Sequence, residues 1–297
     1  SSALIEVYSL PVEIDLYKVA EIDVTGKYTS TDGFSGMDFS GINHSTATSD
    51  WMKFAADAKK IVDTAREDVI PVETKATKEG TTTFEKLPVG LYLVDAQQLL
   101  SPHNQYDFTP YLVSLPNNYY SQSNQDDTWI YDAVVGLKPE KSDRYGDLKI
   151  VKTLSNYNAT VDGATFVFQV EATKTDVDTK ETTVVYSNAV SIDFNEPGQK
   201  EVLIQNIPAG ANVKITEIYT GASYELVSDA TKTAMIVANE AEGAPVTVNF
   251  ENTYSGNLNG GNGIVNSFIY SQDANGNSTW THSAMSDSTG IQPRQQQ

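Results

Sequence analysis

The sequence predicts a mainly β protein of two tandem β-sandwich domains, the first carrying one inserted amphipathic helix. Three observations lead there. Sixteen tyrosines and a high content of Thr, Val and Ile favour strands over helices. The second half holds six short, strand-like runs with turns between them, the spacing of an antiparallel sandwich. Only one stretch of the 297 residues carries a convincing helical period, and the chain is long enough for two domains with a core each.

In order along the chain, VEIDLYKVA alternates as a strand does, with Val12, Ile14, Leu16 and Lys18 on one face. Residues 26–48, rich in Gly, Ser, Thr and Asp, read as a loop. Ser49 or Asp50 then caps a helix in which Trp51, Phe54, Ala55, Ala58, Ile61, Val62 and Ala65 recur at helical spacing, ending before Pro71. Strands resume in TTTFEKLPVGLYLVDA, FTPYLVSLP and WIYDAVVGLKPE. The polar run PEKSDRYGD marks a domain boundary. Beyond it DLKIVKTL, ATFVFQVEA, TTVVYSNAVSIDF, KEVLIQNI, ANVKITEIY and VTVNFENTY are the six runs. This divides the chain into a first domain at 1–140, a second at 141–255, and a tail at 256–297. Within the tail SGNLNGGNG opens as a flexible linker, one hairpin turns at Asn275-Gly276, and residues 289–297 read as disordered.

Composition narrows the function. A net charge of −19, from 39 acidic and 20 basic residues, repels nucleic acid and anionic lipid. No run of about 18 apolar residues is present, so no bilayer span and no membrane contact are expected. The sequence has no cysteine, hence neither disulfides nor thiolate metal sites. Its opening at Ser1, without a basic and then apolar leader, is that expected of a mature, processed form. His44, His103 and His282 are scattered, which argues against zinc. Asp273, Asn275 and Asn277 have the spacing of a calcium loop but lack its bidentate Glu, so a turn is expected there. No GxSxG, phosphate loop or dinucleotide fingerprint occurs. Neither metal nor cofactor nor enzymatic turnover is expected.

The sharpest chemical signal is a pattern of three residues. Side chains on a strand alternate with period two. In LKIVKTL, Lys152 therefore shares a face with Leu148, Ile150 and Leu154. In ANVKITEIY, Glu217 shares one with Val213 and Ile215, and in VTVNFENTY, Asn252 shares one with Val248 and Phe250. Each strand thus puts one polar residue on its apolar face. Burial lowers the pKa of a lysine and raises that of a glutamate, giving a neutral amine beside a protonated acid. At contact distance such an amine can attack the Asn carboxamide, with the acid moving the proton to departing ammonia. Spacing alone is equally served by a buried Lys152–Glu217 ion pair with Asn252 as a polar neighbour.

These motifs resemble the CnaB-type immunoglobulin-like domains of Gram-positive, sortase-assembled pilins. That family has a reactive Lys at the end of the first strand (here LKIVKTL), a Glu after a Pro-Gly turn (here IPAGANVKITE), and an Asn in the last strand (here VNFENTY). The resemblance implies an intramolecular isopeptide bond between Lys152 and Asn252, with Glu217 as catalytic acid. The first domain is similar to the N-terminal domain of the same proteins through LYKVAEID, SDWMKFA, LPVGLYLV and FTPYLVSLP. Its pilin motif, W-x-x-x-V-x-V-Y-P-K, is matched by Trp129, Val135 and Lys138 and departed from at Ala133, Gly136 and Leu137. By that likeness Lys138 is the lysine to which a sortase joins the next subunit; otherwise it is a solvated linker lysine. The first domain lacks a cross-link pattern of its own, because Ala96 stands at the Glu position, and a Lys18–Asp95 ion pair is expected instead.

The implied function is a secreted, wall-associated pilus subunit, its partners further copies in a filament and the sortase that joins them. The alternative is a minor pilin or wall-anchored adhesin that binds a host protein or glycan, for which Tyr119, Tyr120 and Tyr131 are candidate aromatics. Near the end of the chain Ser288-Thr289-Gly290 lacks the Leu-Pro of a sorting motif.

Overall fold

The protein is described here by a computed structural model. It covers the chain apart from residues 1, 44, 66, 117–132, 222, 255, 257–264, 273–277 and 286–297, and gives the backbone of 265–272 and 278–285. Two compact units emerge, Ser1–Ser142 and Asp143–Gln297.

The first unit begins with a short helix, α1 (Ser2–Ser9), which the sequence reading did not anticipate. Strands β1 (Glu13–Ile22) and β2 (Tyr28–Ser30) follow, then helix α2 (Thr48–Thr64) and strands β3 (Glu73–Ala76), β4 (Gly90–Ala96), β5 (Leu99–Leu100), β6 (Asn104–Phe108), β7 (Tyr111–Leu115) and β8 (Pro139–Asp143). In the main sheet β1 is flanked by β4 on one side and by β2 and β3 on the other, while β7 extends the sheet beyond β4. Alternation sends Leu91 and Leu93 of β4, with Tyr17 and Val19 of β1, to the face covered by α2. The opposite face contributes Ile14 and Ala96 to a second cluster, with Leu99 and Tyr106 from the small sheet β5-β6-β8.

Three expectations for this unit are corrected. The residue capping α2 is Ala47 in extended conformation, without a side-chain cap; Asp50 lies in the first turn, where its charge favours the helix dipole. Residues 26–48 are more than a surface loop, since they bury Phe34, Met37 and Phe39 against α2. Of WIYDAVVGLKPE, residues 133–138 are not a strand; pairing starts at Pro139, in the polar stretch read as the boundary.

The second unit is a β-sandwich. Its strands are β9 (Tyr145–Leu154), β10 (Ala164–Thr175), β11 (Thr182–Phe194), β12 (Gly198–Pro208), β13 (Asn212–Tyr219), β14 (Tyr224–Leu226), β15 (Thr231–Met235) and β16 (Val246–Tyr254). One sheet runs β11-β10-β13-β15 and the other β12-β9-β16-β14. All six runs expected from sequence are strands, and the short β14 and β15 are added. Inward residues of both sheets interdigitate: Phe168 of β10 meets Phe250 of β16 with ring centroids 4.9 Å apart. Burying each such side chain stabilises the fold by roughly 1.5–3 kcal/mol. Gly146 is required by close approach, because a Cβ there would stand 1.8 Å from the Val237 carbonyl oxygen.

The sandwich is not wholly antiparallel: β9 and β16, its first and last long strands, pair in parallel, with Phe250 opposite Lys152 and Asn252 opposite Leu154. Parallel neighbours need a crossover connection, and here the rest of the sandwich is that connection. Past β16, β17 (Val265–Gln272) and β18 (Ser278–Met285) form the expected antiparallel hairpin, with Tyr270 opposite Trp280. Its Asn275-Gly276 turn lies outside the described residues. Among the described residues no helix is long and apolar enough to cross a membrane.

Candidate cross-linking site

Lys152, Glu217 and Asn252 converge inside the sandwich. The parallel register of β9 and β16 places Lys152 and Asn252 diagonally on one inner face, two residues apart along the strands. Glu217 reaches them from β13 in the facing sheet. Lys152 and Asn252 have no exposed surface, and Glu217 is buried. The Lys152 Nζ donates to Glu217 Oε2 at 2.8 Å and also to Asn252 Oδ1. The Asn252 Nδ2 donates to Glu217 Oε1 at 2.7 Å. One carboxyl group therefore bridges the amine and the amide nitrogen.

The surroundings are aromatic. The Phe166 ring lies 4.5 Å below Nζ and the Phe168 ring 5.7 Å away. Burial among these rings pushes the Lys152 amine below its usual range, against the hydrogen bond and charge of Glu217. It pushes the Glu217 carboxyl up, against the opposing pull of Lys152 and Asn252. Both shifts favour the neutral pair of free amine and carboxylic acid over the ion pair. The sequence reading found the three polar groups but not the aromatic cage, although Phe166 and Phe168 stand in phase on ATFVFQVEA.

This arrangement could support a condensation in which Nζ would attack Cγ of Asn252, forming the Nζ–Cγ bond and breaking the Cγ–Nδ2 bond. Glu217 would take a proton from the amine and pass one to Nδ2, which would leave as ammonia. The product would be a neutral amide in a dry core, without a buried charge to solvate.

The first unit offers an internal contrast. The expected Lys18–Asp95 pair does not form; Lys18 pairs with Glu21 at 2.6 Å. The cause is register, because Lys18 lies opposite Tyr92 and so shares a face with Val94 and Ala96, whereas Asp95 faces α2. There it meets Lys59 at 3.2 Å, and Lys59 meets Asp63 at 2.6 Å. Burial works to lower the Lys59 pKa, but Asp63 and Asp95 outweigh it and hold the group above its usual value. Lys59 is thus held as an ion-pair partner, whereas burial prevails at Lys152 and acts the other way.

Lys138 is exposed and immediately precedes β8. Trp129, the start of its motif, lies outside the described residues, as do Tyr119, Tyr120, Tyr131, His44, the 273–277 loop and residues 288–297. Among the described residues no group of three or more His, Cys, Asp or Glu could hold a metal ion.

Comparison with known proteins gives one domain match and a set of structural likenesses. Residues 148–255 match the domain of unknown function DUF5979, which spans all three residues of the site. No curated protein sequence matches. Among solved structures, the Streptococcus agalactiae minor pilin is 14% identical, with 83% of this chain and 84% of that one covered and a TM-score of 0.22. The Corynebacterium diphtheriae major pilin SpaA, described with stabilizing isopeptide bonds, is 12% identical over 82% and 95%, with a TM-score of 0.25. The Streptococcus pyogenes major pilin is 17% identical over 84% and 94%, with a TM-score of 0.24.

Proposed function

We propose that this chain is a structural subunit of a cell-surface pilus, its second unit locked by a Lys152–Asn252 amide and its copies joined head to tail through Lys138. The observation that carries this reading is the dry contact of Lys152, Glu217 and Asn252 between the first and last strands of the sandwich. Tension on the chain enters the second unit at β9 and leaves it at β16. A bond between these neighbours passes the load across directly, sparing the strands between. In a chain without cysteine this amide takes the place of a disulfide. The reaction runs once per molecule, so the protein is a substrate of its own fold and not an enzyme with turnover.

Lys138 has the opposite character to Lys152. It stands in solvent, reachable by an enzyme-bound acyl group. Joining it to the C-terminal region of another copy is a heterologous contact, which propagates as a filament and does not close. Such a filament belongs outside the cell, on the wall, with a sortase as the joining enzyme.

Co-expression with the assembling sortase is expected to give a ladder of high-mass species that survives boiling in detergent. Lys138→Ala is expected to abolish the ladder and leave the monomer's melting temperature unchanged. A ladder persisting in that variant would move the linkage to another lysine. A wild-type chain that stays monomeric would favour the adhesin alternative.

A further inference from the structure

The N-terminal helix has a part in this scheme that the sequence motifs do not indicate. α1 is eight residues long, too short to persist alone in water, so it exists only by docking. Its Ala3 and Val7, followed by Leu10, pack on the cluster of Val12, Ile14, Ala96, Leu99 and Tyr106. A polar anchor at Glu6 holds it there. Glu6 accepts hydrogen bonds from the fully buried Tyr106 hydroxyl and, at 3.0 Å, from Asn104 Nδ2, both on β6. Tyr8 adds a steric stop, since its ring lies against Gly80 so closely that a Cβ there would be 2.6 Å away.

The same cluster holds Leu137, the residue before Lys138, and the same strand β6 pairs with β8, which begins directly after Lys138. The Lys141 charge on β8 also helps hold the Glu6 carboxylate below its usual pKa, together with the hydrogen bonds from Tyr106, Ser101 and Asn104 that oppose the effect of burial.

We infer that α1 is a clasp, anchored by Glu6, that presses on the cluster seating Leu137 and thereby sets the position of Lys138 for acyl transfer. Glu6 is on this view a positioning residue. With the clasp released, Leu137 loses part of its packing, and Lys138 becomes a mobile amine that reaches the enzyme-bound acyl group less often in a productive pose. The inference rests on Lys138 being the acceptor.

The test uses the full chain, a sortase charged with a short threonine-terminated peptide, and peptide mapping of the modified lysine. Glu6→Ala is expected to lower the transfer rate at Lys138 about tenfold, and to raise amide exchange over residues 2–9 and 137–143. Glu6→Gln, which keeps an acceptor for Tyr106 and Asn104, is expected to stay within about twofold of wild type. Amide exchange over β1, β4 and α2, unchanged in all variants, shows that the rest of the first unit has folded in each. Unaltered transfer in Glu6→Ala despite fast exchange at residues 2–9 would overturn the clasp alone. Modification of wild type at a different lysine would overturn the acceptor assignment, and the clasp with it.

Discussion

Glu217→Ala is expected to fold into the same sandwich with the amide unformed. Without the carboxyl bridging Nζ and Nδ2, no group takes the proton from the amine or delivers it to the departing nitrogen. The chain should then carry its full sequence mass, about 17 Da above the cross-linked form, the mass of the ammonia retained. The cost to stability should be large. The bond would join residues 100 positions apart in the chain. By analogy with a disulfide, closing a loop of that size stabilises by about 4.7 kcal/mol. For a domain of this size that corresponds to a fall of roughly 20 °C or more in melting temperature. Glu217→Gln separates packing from proton transfer: it fills the same space, and should melt like Glu217→Ala if the missing amide is what matters.

The second large effect is mechanical. When the wild-type chain is pulled from its two ends, the segment between residues 152 and 252 is expected not to unravel, because force passes from β9 through the amide into β16. In Lys152→Ala the segment between residues 152 and 252 becomes extensible. Roughly 100 residues at about 3.3–3.6 Å each would add on the order of 300 Å of contour length in a single-molecule trace. The parallel pairing of β9 and β16 makes this arrangement effective, since both strands bear load along the same direction and the amide lies near the C-terminal end of each. A wild-type trace showing that added length would mean the two strands are held by hydrogen bonds alone.

The buried cluster of Lys152, Glu217 and Asn252 was legible in the sequence because a period of two is unambiguous when a run of Leu, Ile, Val and Phe is broken by one polar residue. That reasoning gives the face of Lys152, Glu217 and Asn252 without knowledge of their partners. It is blind to pairing direction, since parallel and antiparallel strands share the same alternation, and so β9–β16 was read as part of an antiparallel sandwich. It fails where strands are polar: ETKA, PEKSD and TKTAM display no clear apolar face, and they are held by pairing with β1, β6 and β13 respectively. The helix α1 was missed for a related reason. Eight residues are too few to establish a period, and what stabilises them is packing on Ala96, Leu99 and Tyr106 and a hydrogen bond from Tyr106, a hundred residues away from Glu6. The Lys18–Asp95 expectation went wrong because adjacent positions in a strand face opposite sides. Register, which turns and bulges fix, decided that Asp95 would meet Lys59 of a helix.

The amide at the centre of this account is tested most directly by the intact mass of the purified wild-type chain, followed by sequencing of its proteolytic fragments. The expected result is a mass about 17 Da below that of the unmodified sequence, as condensation with loss of ammonia requires, with one branched fragment joining the peptides that contain Lys152 and Asn252. A mass equal to that of the sequence, with the two peptides released separately, would contradict it and leave Lys152, Glu217 and Asn252 as a buried ion pair and its polar neighbour.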